Sequence, residues 1–71
     1  MPLAMVEVGR RVRIVAIDAG RGLQARLATL GLVPGTEIAV MQNSGWGPFV
    51  VAVKESRLML GRGMAQKIMV S

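Results

Sequence analysis

The sequence predicts a mainly β domain: a small, strongly bent barrel of about five strands, with one short helix between the first two. Three observations lead there. Short runs rich in Val, Ile and Leu recur at 11–17, 36–42, 49–53, 57–60 and 67–70, each bounded by turn residues. Only one stretch, beginning at Arg21, carries apolar residues at a helical period. A Val-rich chain this short would also leave aggregation-prone sheet edges unless its sheet closed on itself.

Residues 5–9 read as a lead-in, with Gly9 marking a turn. In the first strand Val12, Ile14 and Ala16 alternate with Arg11, Arg13, Val15 and Ile17, so one face is only partly polar. Asp18-Ala19-Gly20 forms a loop in which either Asp18 or Gly20 can cap the helix. With no other acid or His nearby, Asp18 reads as a capping or turn carboxylate. Leu23, Leu27 and Leu30 then fall at i, i+4 and i+7 on one stripe, and with Leu32 they are assigned to the core. Ala25, Ala28, Thr29 and Arg21 point away. Gly31 stands where a left-handed residue closes a helix, which makes Leu32 and Leu27 the apolar pair of a Schellman end. Val33 precedes a proline and is pushed to extended geometry, and Pro34-Gly35 suits the centre of a type II turn.

Beyond that turn Ile38 and Val40 take one strand face, and Glu37, Ala39 and Met41 the other. Asn43-Ser44-Gly45-Trp46-Gly47-Pro48 is turn chemistry, and Phe49-Val50-Val51-Ala52-Val53 returns as the second arm of a hairpin. That arm is apolar on both faces, which predicts a barrel wall plus an exposed patch. Lys54-Glu55-Ser56 turns again, 57–60 is a short strand, 61–66 holds a single helical turn, and 67–70 closes the chain.

The 71 residues make one domain, 1–71, which buries only about 60% of its unfolded surface. There is no Cys and no His, and the four acids Glu7, Asp18, Glu37 and Glu55 are scattered, so no disulfide, metal or cofactor is expected. Hydrophobic residues make up 52% of the chain and mean hydropathy is +0.49, more than so small an interior can hide. The surplus points to a partner, another copy of the chain, or a membrane-associated neighbour. No apolar run is long enough for a transmembrane helix and the N-terminus lacks a basic signal region, so no direct membrane insertion is expected. The net charge of +5 reads as a solvated basic face, because apart from Arg10-Arg11-Val12-Arg13 the cations are dispersed.

Enzyme readings fail on inventory. Without His or Cys no Ser-His-Asp or Cys-His arrangement can form, and nothing motivates a pair of carboxylates. Gly20-Arg21-Gly22 and Gly61-Arg62-Gly63 lack the remainder of any phosphate-binding fingerprint and read as turns.

The stretch Leu27-Ala28-Thr29-Leu30-Gly31-Leu32-Val33-Pro34-Gly35-Thr36-Glu37-Ile38 resembles the signature of the ferrous-iron transport protein A (FeoA) family. Gly47-Pro48-Phe49-Val50-Val51-Ala52-Val53 resembles its second hairpin arm. The closing segment from Leu58 to Val70 is similar too, with Leu60, Ala65, Ile68 and Val70 in the expected places. The chain departs from the pattern at Glu55-Ser56, where the family usually has a Gly in the turn. The resemblance implies an SH3-like barrel, a cytosolic location at the inner face of the cytoplasmic membrane, and an accessory role in bacterial ferrous iron uptake. The implied partner is the permease FeoB, which carries a cytoplasmic GTP-binding domain. The same fold occurs as the C-terminal domain of iron-dependent repressors, but this chain is too short to include their DNA-binding helices.

An interaction module therefore leads the functional reading, with contacts expected at Trp46 on its loop tip and at Met41, Val50 and Met59 on outward strand faces. Against three of them stands a plainer role: Trp46 as a plug over the barrel mouth, Met41 and Met59 as ordinary packing. Arg21 and Arg26 read as a solvated helix flank before an acidic-partner contact. Two alternatives remain. A basic barrel could bind nucleic acid, though two aromatics are few for stacking bases, or the chain could be a structural homo-oligomer.

Overall fold

Strand β1 (Arg11–Ile17) shapes the molecule because it serves two neighbours in turn. Its first half pairs antiparallel with β2 (Glu37–Asn43), Val12 opposite Ile38; its second half pairs with β5 (Ile68–Val70), Ile14 opposite Val70. In the computed structural model, which describes residues 1–71, β3 (Phe49–Val53) and β4 (Ser56–Leu60) extend the sheet beyond β2. The strand order is β4-β3-β2-β1-β5, with every pair antiparallel. The predicted architecture of five strands, with a helix between the first two, is the one observed.

Two register shifts bend this sheet, one between Ile14 and Ala16 on β1 and one between Val40 and Gln42 on β2. An extra residue on one strand kinks it and reverses the facing of the residues beyond the kink. Ala16, expected inside with Val12 and Ile14, is therefore exposed, and Ile17 packs against the core in its place. On β2 the shift leaves Met41 and Gln42 both exposed and turns Asn43 toward the N-terminal segment.

Helix α1 (Arg21–Thr29) is capped at its start by the backbone of Gly20, with no side-chain cap, so Asp18 does not perform that role. Its end is the Schellman geometry read from sequence. Gly31, at φ +86°, donates to Ala28 O at 3.0 Å, and Leu32 N donates to Leu27 O at 3.0 Å. The Pro34-Gly35 turn comes next, with Gly35 at φ +95° and Thr36 N donating to Val33 O at 3.1 Å. Helix α2 (Arg62–Lys67) links β4 to β5.

The core holds fifteen residues, all apolar, with Phe49, Ile14, Leu32, Ile38 and Ile68 among its largest. The N-terminal segment belongs to it, and the burial of Val6 corrects the reading of residues 5–9 as no more than a lead-in. Leu3, in a 3-10 turn (Leu3–Met5), and Val6 are fully buried. Met1 exchanges backbone hydrogen bonds with Val70, its amino group donating to Val70 O at 3.0 Å. The segment thereby covers the outer edge of β5, which would otherwise be open.

Candidate docking site

Leu30 does not join the core. It is the first residue beyond the last turn of α1, at φ −94° and ψ 1°, and remains 49% exposed. Its stripe faces the lip of the barrel. Leu27 reaches the interior, Leu23 is half-buried, and Leu30 overhangs a groove between α1 and strand β4, the edge of the sheet. Leu60 and Met64 line the far wall, Met59 stands above it at 73% exposure, and Arg26 is the one charge on the rim. The groove encloses about 240 Å³. Its walls come from three elements that the sequence brings together by unrelated rules: a helical stripe, a strand end and a short helix.

The four contact residues read from sequence lie toward one end of the sheet. Val50 sits in the ladder between Gln42 and Met59 and is half-buried. Met41, beside the β2 bulge, is 39% exposed, so both methionines show surface to solvent. Trp46 is 92% exposed at the hairpin tip, which removes the reading as a plug over the barrel mouth. It projects beyond the ladder and is not part of the groove. Sequence reasoning misses Leu30, Leu23 and Met64 as groove residues. The available signal is the position of Leu30 immediately before the glycine stop, where the stripe runs past the end of the helix.

Beneath the hairpin tip a polar bracket ties three segments. Asn43 Nδ2 donates to Ala4 O at 3.1 Å and to Val6 O at 2.9 Å, while Asn43 Oδ1 accepts from Arg62 Nη2. The Arg62 guanidinium lies 5.7 Å from the centroid of the Phe49 ring, a cation–π distance. Its Nε is buried without an acceptor, so Arg62 is held by the ring and one amide.

A larger concavity of about 460 Å³ lies on the outer face of the sheet, among Arg11, Glu37, Ala39, Ala52 and Lys54. Its Arg11–Glu37 ion pair, at 3.4 Å, joins side chains that are 72% and 52% exposed and contributes at most about 1 kcal/mol. It is a solvated polar surface. No three of the chain's His, Cys, Asp or Glu side chains gather anywhere to hold a metal ion.

The FeoA domain model matches residues 1–71. The chain belongs to the FeoA family. An archaeal relative, a provisionally named Fe(2+) transport protein A of Methanocaldococcus jannaschii, is 41% identical over 69 residues, 97% of this chain and 83% of its own. A crystal structure of an iron uptake regulatory protein, FeoA, superposes with a TM-score of 0.91 at 31% identity, covering 99% of this chain and 93% of that one. FeoA of Stenotrophomonas maltophilia, solved with zinc and described as a prokaryotic SH3 domain protein, gives 0.85 at 24% identity. That match covers 100% of this chain and 89% of that one and speaks to the fold. The barrel is thus SH3-like, as expected from the FeoA resemblance.

Proposed function

We propose that this FeoA chain is an accessory protein of ferrous iron uptake. It works in the cytoplasm, docks on the cytoplasmic region of a FeoB-type permease with its GTP-binding domain, modulates it, and catalyses nothing itself. The observation that carries the reading is the groove between α1 and β4, where Leu30 and Met59 hold apolar surface open to solvent at the edge of a 71-residue domain. Val50 and Met41 continue that surface across the sheet. Met side chains adapt to irregular partners, and Arg26 on the rim suits an apolar segment flanked by acid. Family membership and the relative named for Fe(2+) transport support the choice of system. Phe49 is fully buried, which leaves Trp46 as the one aromatic able to stack on a base and argues against the nucleic-acid alternative.

Pull-down of the permease's cytoplasmic region in lipid-free solution tests the reading. Leu30→Glu and Met59→Glu each place a charge in the groove without touching a buried residue. Each is expected to weaken capture at least about tenfold while the fold, monitored by circular dichroism, is kept. Unchanged capture by both would sink the groove as the docking face.

A further inference from the structure

The sheet has two edges, and they are finished differently. Along β5 the chain covers its own edge: Val70 N donates to Met1 O at 2.8 Å, and Pro2 bridges to Met69. Along β4 no segment does so, and β4 pairs with β3 alone. The two-residue turn Lys54-Glu55 makes Val53 and Ser56 the first hydrogen-bonded pair of that hairpin, so Val51 with Leu58 and Phe49 with Leu60 are bonded pairs as well. Arg57 and Met59 alternate with them, and their N–H and C=O groups point away from β3. No backbone hydrogen bond outside the strands and helices uses these groups, and both residues are exposed. Unmet backbone donors and acceptors thus run along β4 up to the groove, which Met59 and Leu60 line.

On the reading that this groove docks the permease, we propose that the docked part is an extended segment that adds to β4 as a further strand. Its backbone meets the N–H and C=O groups of Arg57 and Met59, as Met1 and Pro2 meet β5 at the other edge. Side chains of such a strand alternate between faces. Those opposite Leu58 and Leu60 fall on the inner side, where Leu58 packs on the core and Leu60 opens to the groove beside Leu23, Leu30 and Met64. The segment is therefore apolar at two alternate positions. A helix laid over the same groove would cover the backbone groups of β4 without bonding them, which costs free energy for every one left unmet. A second copy of the chain fits less well, because it brings another Arg26 and another Arg57 to the seam and no acid lines the groove.

Arg57 lies outside the groove, so its backbone can be tested apart from the groove's side chains. Arg57→Pro deletes an outward N–H and no bond to β3, a change that an edge strand tolerates. Arg57→Ala removes the same side chain and keeps the N–H. Arg57→Pro is expected to capture the permease's cytoplasmic region at least about tenfold less than Arg57→Ala does. In the parent chain the amides of Arg57 and Met59 are expected to exchange fast when the chain is free and at least about tenfold slower when that region is bound. This second measurement needs no variant and decides the matter if Arg57→Pro fails to fold. Equal capture by the two folded variants overturns the proposal, as do Arg57 and Met59 amides that go on exchanging freely in the complex. In either case a loss of capture by Leu30→Glu leaves the groove standing as the docking face and removes only the added strand. A parent chain that captures nothing overturns the docking reading and the strand together. Light scattering that shows the chain dimerising alone, with the same two amides protected, assigns the edge to a second copy and overturns the proposal.

Discussion

Strand β3 is bounded by two reversals of opposite character. At its C-terminal end the chain turns back in two residues, Lys54 and Glu55, both charged and both exposed. At its N-terminal end the reversal from β2 runs from Ser44 to Pro48, carries no charge, and lifts Trp46 clear of the fold. Between them Phe49, Val51 and Val53 are all buried, so the two ends do not differ in how the strand packs. They differ in what they present. The charged turn ends the sheet in solvent, whereas the uncharged reversal lies at the end that carries Met41, Val50, Met59, Met5 and Trp46 and sits beside the groove. Exposed Val15 and Val33 lie away from it, so the contrast is one between the two reversals and not between two halves of the whole domain.

The comparison is broken most severely at Phe49. Phe49→Ala removes the largest core side chain at the start of β3 and the ring beneath Arg62. A loss of about 3–5 kcal/mol is expected in urea unfolding. That is a large share of the roughly 5–15 kcal/mol that holds a domain together. A loss under about 1 kcal/mol would show that the tip end relaxes around the cavity and that the bracket above it is held by something else.

The next largest effect is expected at Asn43. Asn43→Ala removes two donors to the carbonyls of Ala4 and Val6 and the acceptor for Arg62, for a cost of about 2–3 kcal/mol. Amide exchange in the N-terminal turn should quicken with it. Asn43→Asp sharpens the test. It keeps an acceptor for Arg62 and sets a carboxylate against two carbonyl oxygens, so it should loosen the N-terminus as much as alanine does. If exchange at Leu3 and Val6 is unchanged in both variants, the N-terminal segment is held by core burial alone.

Most of the barrel is legible in the sequence because its rules are local. The end of α1 is set by Gly31 and the Leu27–Leu32 spacing, and the turn after it by Pro34-Gly35. Strand positions come from alternation. Three features are not legible, each for a physical reason. The bulges on β1 and β2 reverse strand facing through one unpaired residue, and no residue type marks them, so Ala16 and Ile17 exchange the places that alternation assigns them. Leu3 and Val6 are too few to show a period, and their burial depends on β5, some 65 residues away in sequence. The groove needs α1, β4 and α2 in register at once, so sequence reasoning reaches only its exposed methionine on β4.

The smallest expected effect lies at the charged turn, and it carries the opposite sign. Lys54 is the one residue other than glycine with a positive φ, +56°, a region that costs a side chain roughly 1–2 kcal/mol. The FeoA resemblance places the missing glycine at Glu55-Ser56, but the geometry moves the demand one position earlier. Lys54→Gly should therefore stabilise the domain by about 0.5 kcal/mol, the relief of strain being partly offset by the greater freedom of glycine in the unfolded chain. Glu55→Gly, at a residue with ordinary φ, gains no such relief and should destabilise by a similar amount. Neither change reaches the groove, so both variants should capture the permease region as the parent does. A Lys54→Gly chain that gains stability yet loses capture of the permease region would show that the two ends of β3 are coupled and that the division between a closing end and a presenting end is wrong.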